Sequence, residues 1–95
     1  MTEEKNYTEA EWHKKIAVEC FNKAWDLMEK ENRTKEEDEE MISLTITSRF
    51  HWGKIGTPLH FQRGEWQIAR VYTILGRKEP ALHHAKLCLK LTVDN

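Results

Sequence analysis

The chain has 95 residues, of which 39% are hydrophobic and 33% charged, and its net charge is −1. That length supports one domain with one modest core, residues 1–95, and 4 Gly and 2 Pro are too few for a disordered chain. No apolar run approaches the ~20 residues that a membrane-spanning helix needs, which excludes that class.

Thr8-Glu9-Ala10-Glu11 has the form of a capping box, in which the threonine oxygen accepts from a first-turn amide and the glutamate reaches back to the cap amide. A first helix over about 9–30 follows. Its Trp12, Ile16, Ala17, Cys20, Phe21, Ala24, Trp25 and Met28 recur at steps of three and four, which groups them on one broad face, read as core. Thr34-Lys35-Glu36-Glu37 supplies a second box after the break at Asn32, and the five acids Glu36 to Glu40 lie at the positive end of the second helix dipole. That placement accounts for the acids without a metal.

In "MISLTITSRFHW" the residues Ile42, Leu44 and Ile46 alternate as in a strand, but a lone strand would leave its backbone unpartnered. A second helix over 35–53 is expected, with Met41, Thr45, Ser48, Trp52 and Ile55 on one side and Gly53 and Gly56 ending it. Thr57-Pro58 reads as a cap followed by proline at the first helical position, opening a third helix over 58–75. Its inner stripe is Phe61, Gly64, Ile68, Val71, Tyr72 and Leu75, with Gly64 admitting a close neighbour and Gly76 ending the helix. Pro80 is expected to open a fourth helix over 80–92. The fold class is all-α, in two antiparallel helical hairpins.

The two halves differ sharply in charge. Residues 1–48 carry 7 Lys and Arg against 13 Asp and Glu, a net −6, whereas residues 49–95 carry 8 against 3, a net +5. Such a division joins the halves within a chain or across a dimer, offers the basic half to an anionic partner, or leaves two solvated faces. Cys20 and Cys88 sit among apolar neighbours without C-x-x-C spacing and read as small buried thiols. The opening "MTEEKNYTEAEW" is acidic where a secretory signal is basic and then apolar, so a cytoplasmic location is expected.

From Gln62 to Asn95 the chain resembles one tetratricopeptide repeat: Ile68-Ala69 stand at the Leu-Gly position, Tyr72 at the tyrosine, Gly76 at the turn glycine and Ala81 at the first alanine of the second helix. Glu65, Ala85, Cys88 and Val93 depart from that pattern, and residues 1–61 show no convincing second copy. The whole chain is also similar to small uncharacterised bacterial proteins of helical, repeat-like type. The repeat resemblance implies a groove along the first helix of each pair, which by position places Arg63, Trp66, Gln67 and Arg70 in it. Two arginines beside an amide suit a carboxylate or acidic peptide through forked, charge-assisted hydrogen bonds. The acids of the second helix compete for the same arginines.

Other chemistry is less supported. Arg49, His51, Trp52 and Lys54 with Arg63, Trp66 and Arg70 interleave basic and aromatic groups, as phosphate contact and base stacking require. His84 and Cys88 stand one turn apart, and Cys20, His51 or His60 would have to complete a metal site. Arg77 and His83 have the Arg-x5-His spacing that resembles helical HEPN ribonucleases. No phosphate loop, nucleophile elbow or paired zinc motif is present. The expectation is an interaction module, not an enzyme, that binds a protein partner through Arg63, Trp66, Gln67 and Arg70, with Arg49 and Trp52 beside them; a homodimer, or docking on another protein, would cover the leftover apolar face, either through Trp12, Phe21 and Trp25 of the first helix or with the acidic half of one subunit against the basic half of the next. No cofactor, metal or small-molecule substrate is implied; RNA binding, or ribonuclease action through Arg77 and His83, is the alternative.

Overall fold

A computed structural model describes residues 7–95, so the first six residues of the acidic opening stretch lie outside the described residues. Four helices follow one another: α1 (Glu9–Glu29), α2 (Lys35–Ile55), α3 (Pro58–Ile74) and α4 (Lys78–Asp94). The α1–α2 and α3–α4 pairs pack as two hairpins, α2 packs on α3, and α1 touches α3 to a smaller extent. Among the described residues α4 meets only α3. The result is flat, with extents of 47, 37 and 15 Å and a radius of gyration of 14.5 Å. A compact globule of this length would have a radius near about 12 Å, so much of the chain's apolar surface has no second layer to cover it.

Both capping boxes form. Thr8 Oγ1 accepts from the Glu11 amide while Glu11 Oε1 accepts from the Thr8 amide, and Thr34 and Glu37 repeat the arrangement. Between α1 and α2, Asn32 adopts a left-handed φ of 58°, and Arg33 donates to the Leu27 and Lys30 carbonyls at the end of α1 while pairing with Asp38 at 2.7 Å. Thr57 caps α3 with Pro58 following, and its backbone amide donates to His60 Nδ1 at 3.0 Å, so a histidine holds the place of the capping-box acid. The α3–α4 turn is a Schellman motif: the Arg77 amide donates to the Tyr72 carbonyl, the Gly76 amide to that of Thr73, and Gly76 has φ +73°.

Two expected boundaries move. α2 runs through Gly53 to Ile55, because a helical glycine lowers propensity by only about 1 kcal/mol relative to alanine and does not itself stop a helix. α4 begins at Lys78, with Pro80 as its third residue, where the missing N–H is one of the amides that a helix start leaves unpaired in any case.

The core is narrow, with small and polar groups around Met41 and Ile68. Ala17, Ala24, Met41, Ile68, Val71 and Ala81 are its buried apolar residues, joined by Thr45, Ser48, Glu65 and Gln67. Trp12 and Trp25, expected inside, are exposed over about 46% and 37% of their surface. A sheet of helices one layer deep has no room to enclose two indoles, and the alanines let α1 approach closely instead. Gly64 has the expected role: a Cβ there would lie 2.7 Å from Arg49 Cδ, so α2 lays the Arg49 side chain directly across it.

Candidate functional site

The sequence of α3 divides into two faces. Gly64, Glu65, Gln67, Ile68 and Val71 point inward, while Arg63, Trp66 and Arg70, at steps of three and four, form an exposed stripe. On one side of the stripe α1 contributes Phe21, Asn22 and Trp25, which with Arg63 and Trp66 line an open groove. The Trp25 and Trp66 rings stack across it with centroids 5.9 Å apart. The groove continues past Val18 to Trp52 and His60, whose rings stack at 4.0 Å and are nearly parallel. On the other side Ala69, Arg70 and Thr73 face Ala85, Cys88 and Leu89 of α4 across a second apolar groove. Trp66 is the ridge between the two.

Arg63 and Arg70 have no ion pair among the described residues. The acids of α2 do not reach them: Glu37 pairs with Lys30, Asp38 with Arg33 and Glu39 with Arg77. The last is the one ion pair among the described residues that joins the acidic half to the basic half, at 3.0 Å between two exposed side chains. The charge division is therefore largely uncompensated within the chain.

Two residues placed in the groove by sequence are elsewhere. Gln67 is fully buried: its Oε1 accepts from Thr45 Oγ1 at 2.6 Å, and its Nε2 donates to the Phe21 carbonyl at 3.0 Å. Its amide is consumed in tying α3 to α2 and α1. Arg49 is turned inward, where its Nε donates to Glu65 Oε2 at 2.9 Å and its guanidinium lies over the Phe61 ring. Glu65, only 6% exposed, also accepts from His84 Nδ1 at 2.6 Å, so one carboxylate links α2, α3 and α4. Trp52 is half-buried and reaches the groove only at its far end.

The remaining sets do not assemble. His84 is held by Glu65 and stacks on Tyr72, and among the described residues no group of three His, Cys, Asp or Glu side chains is placed to hold a metal ion. Cys20 and Cys88 are free thiols, and burial pushes the Cys20 thiol above its usual range. The Arg77 guanidinium turns to Glu39, and six residues of helix separate it from His83 by about 120° around the α4 axis. One cluster had no signal in the sequence: His13 Nδ1 and His51 Nδ1 share a hydrogen bond of 2.8 Å across the α1–α2 contact. Burial, then His13 and Lys54, hold the His51 imidazole below its ordinary pKa. Among the described residues no helix is long and apolar enough to cross a membrane. Comparison of the chain with protein-family models, with curated proteins and with solved structures gives no match.

Proposed function

We propose that the chain is a helical interaction module of the tetratricopeptide kind that binds an acidic segment of a protein partner along α3. The observation that supports this reading is the stripe itself: two exposed arginines without ion pairs flank a half-exposed tryptophan, with an apolar groove on either side. Arg63 and Arg70 are seven residues apart, about 10 Å along the helix. That span matches carboxylates seven apart on a helix and lies between the same-face spacings of an extended peptide, about 7 Å for residues two apart and about 13 Å for residues four apart, both of which arginine side chains can reach. The hairpin turn at Gly76, where the repeat resemblance places its glycine, agrees with the same reading.

Protein is favoured over RNA because Arg49 is committed to Glu65 and Trp52 to His60, which breaks up the run of basic and aromatic groups that RNA would need. The two free thiols fit a reducing, cytoplasmic setting. The test is a fluorescence titration with a peptide of alternating Glu and Leu, and with single-stranded RNA of equal charge. Arg63→Ala and Arg70→Ala are each expected to weaken peptide binding about tenfold, the worth of one charge-assisted hydrogen bond. Unchanged affinity in both variants, or tighter binding to RNA with a steep salt slope, overturns the proposal.

A further inference from the structure

Deepening the reading above and resting on it, we propose that the acidic partner of α3 is α1 of a second copy of this chain, in a closed dimer whose twofold axis runs parallel to those helices. α1 and α3 border one groove, and they run in the same direction there: Val18 lies beside His60 and Arg63, and Trp25 beside Trp66. The exposed residues of the two helices on this face follow the same spacing. Asn22, Trp25 and Glu29 on α1 are separated by three and four residues, as are Arg63, Trp66 and Arg70 on α3.

With Trp25 and Trp66 already level in the stack, the two trios stand at matching heights. A twofold axis parallel to the helices lays α1 of one copy over α3 of the other without changing height. Arg70 then meets Glu29, Trp66 meets Trp25, and Arg63 meets the Asn22 amide oxygen. The same contacts repeat on the other side of the axis, so the assembly closes and forms no fibre. An in-plane axis at right angles would instead lay α1 on α1 and α3 on α3, setting like charges together.

Three further observations select this occupant. Glu29 of the α1 trio and Asp26 beside it have no ion pair among the described residues, and α3 carries no exposed acid, since Glu65 is buried. Asp26 and Glu29 of α1 are thereby set against Arg63 and Arg70 of α3. The interface centre would hold tryptophan flanked by arginine, the residue types that dominate binding energy, and a molecule 47 by 37 Å across has room for the about 800 Å2 per partner of a standard interface.

The experiment is sedimentation equilibrium at about 100 µM protein, at low and high salt. Wild type is expected to dimerise at low salt and dissociate at high salt. Glu29→Arg alone and Arg70→Glu alone are expected to be monomeric, with far-UV circular dichroism unchanged and a melting temperature that no longer depends on protein concentration. An equimolar mixture of the two restores a dimer, because each contact again pairs unlike charges. A monomeric wild type, or a mixture that stays monomeric, overturns the inference. If the acidic peptide still binds in an Arg70-dependent manner, the interaction-module reading survives that failure; if the peptide is also ignored, both fall.

Discussion

Replacing Glu65 by glutamine keeps the shape of the side chain and removes the charge that links three helices. Glu65 is 6% exposed and accepts from Arg49 Nε at 2.9 Å and from His84 Nδ1 at 2.6 Å. The glutamine carbonyl can still accept from Arg49, and its NH2 can donate to Nδ1 of the other His84 tautomer, so what is lost is the charge assistance of both bonds. Bonds to a charged group contribute about 1.5–3 kcal/mol against about 1 for neutral ones, and the remaining exposure of Arg49 and His84 keeps the expected loss to about 1.5 kcal/mol. For a domain of this size that is a fall of about 6–12 °C in melting temperature. Urea and thermal unfolding read by tryptophan fluorescence measure it. Glu65→Leu, which strands Arg49 beside an apolar group, is expected to cost more, and Arg49→Met in the Glu65→Gln background is expected to cost less than in wild type. A midpoint unchanged in Glu65→Gln, or costs that simply add in the double variant, would refute the claim that this carboxylate joins the hairpins.

Two other outcomes follow from local geometry. Gly76→Ala is expected to destabilise by about 1–2 kcal/mol, the cost of a left-handed residue with a Cβ, because its φ is +73° while no atom within 4 Å would obstruct the methyl group; hydrogen exchange at the Arg77 amide reports whether the Schellman bond opens. His51 is held below its ordinary value of 6.5 by burial, by His13 and by Lys54. The unfolded chain therefore takes up the proton first, so the stability from this group is full above pH 6.5 and is lost as pH falls from there through the lower folded value. The loss is at most about 1.4 kcal/mol per pH unit. Denaturant midpoints between pH 5 and 8 should flatten in His51→Asn.

What was legible in the sequence depended on distance along the chain. The caps at Thr8 and Thr34 were readable because each involves residues three apart, and the turn at Gly76 because only glycine takes its φ without strain. The inner face of α3 was half legible. Gln67 lies three residues from Gly64 and four from Val71, so periodicity alone puts it in the core; its position in the repeat resemblance put it in the groove, and its partners, Thr45 and the Phe21 carbonyl, are 22 and 46 residues away. Glu65 is the same case, since Arg49 and His84 lie 16 and 19 residues off. Trp12 and Trp25 failed in the opposite sense. Their spacing places them on the apolar face of α1, but a fold one layer deep buries only the middle of such a face.

These two kinds of misreading have one physical origin. A chain this short and flat cannot define its helix registers by interlocking large apolar side chains, because few positions are enclosed on all sides. Register falls instead to directional contacts: Gln67 between Thr45 and the Phe21 carbonyl, Ser48 on the Ala17 carbonyl at 2.7 Å, and Glu65 between Arg49 and His84. Such bonds add little net stability, since each replaces bonds to water, but a shift of one residue would leave several buried polar atoms unpartnered, and among the described residues none is unpartnered. With register secured this way, the indoles of Trp25 and Trp66 are not needed inside. Leaving both on one face, with acids beside one and arginines beside the other, costs solubility unless the face is covered in use. The polar interior and the apolar exterior are thus parts of a single solution, and the exposed indoles it leaves are what supports the proposed binding role.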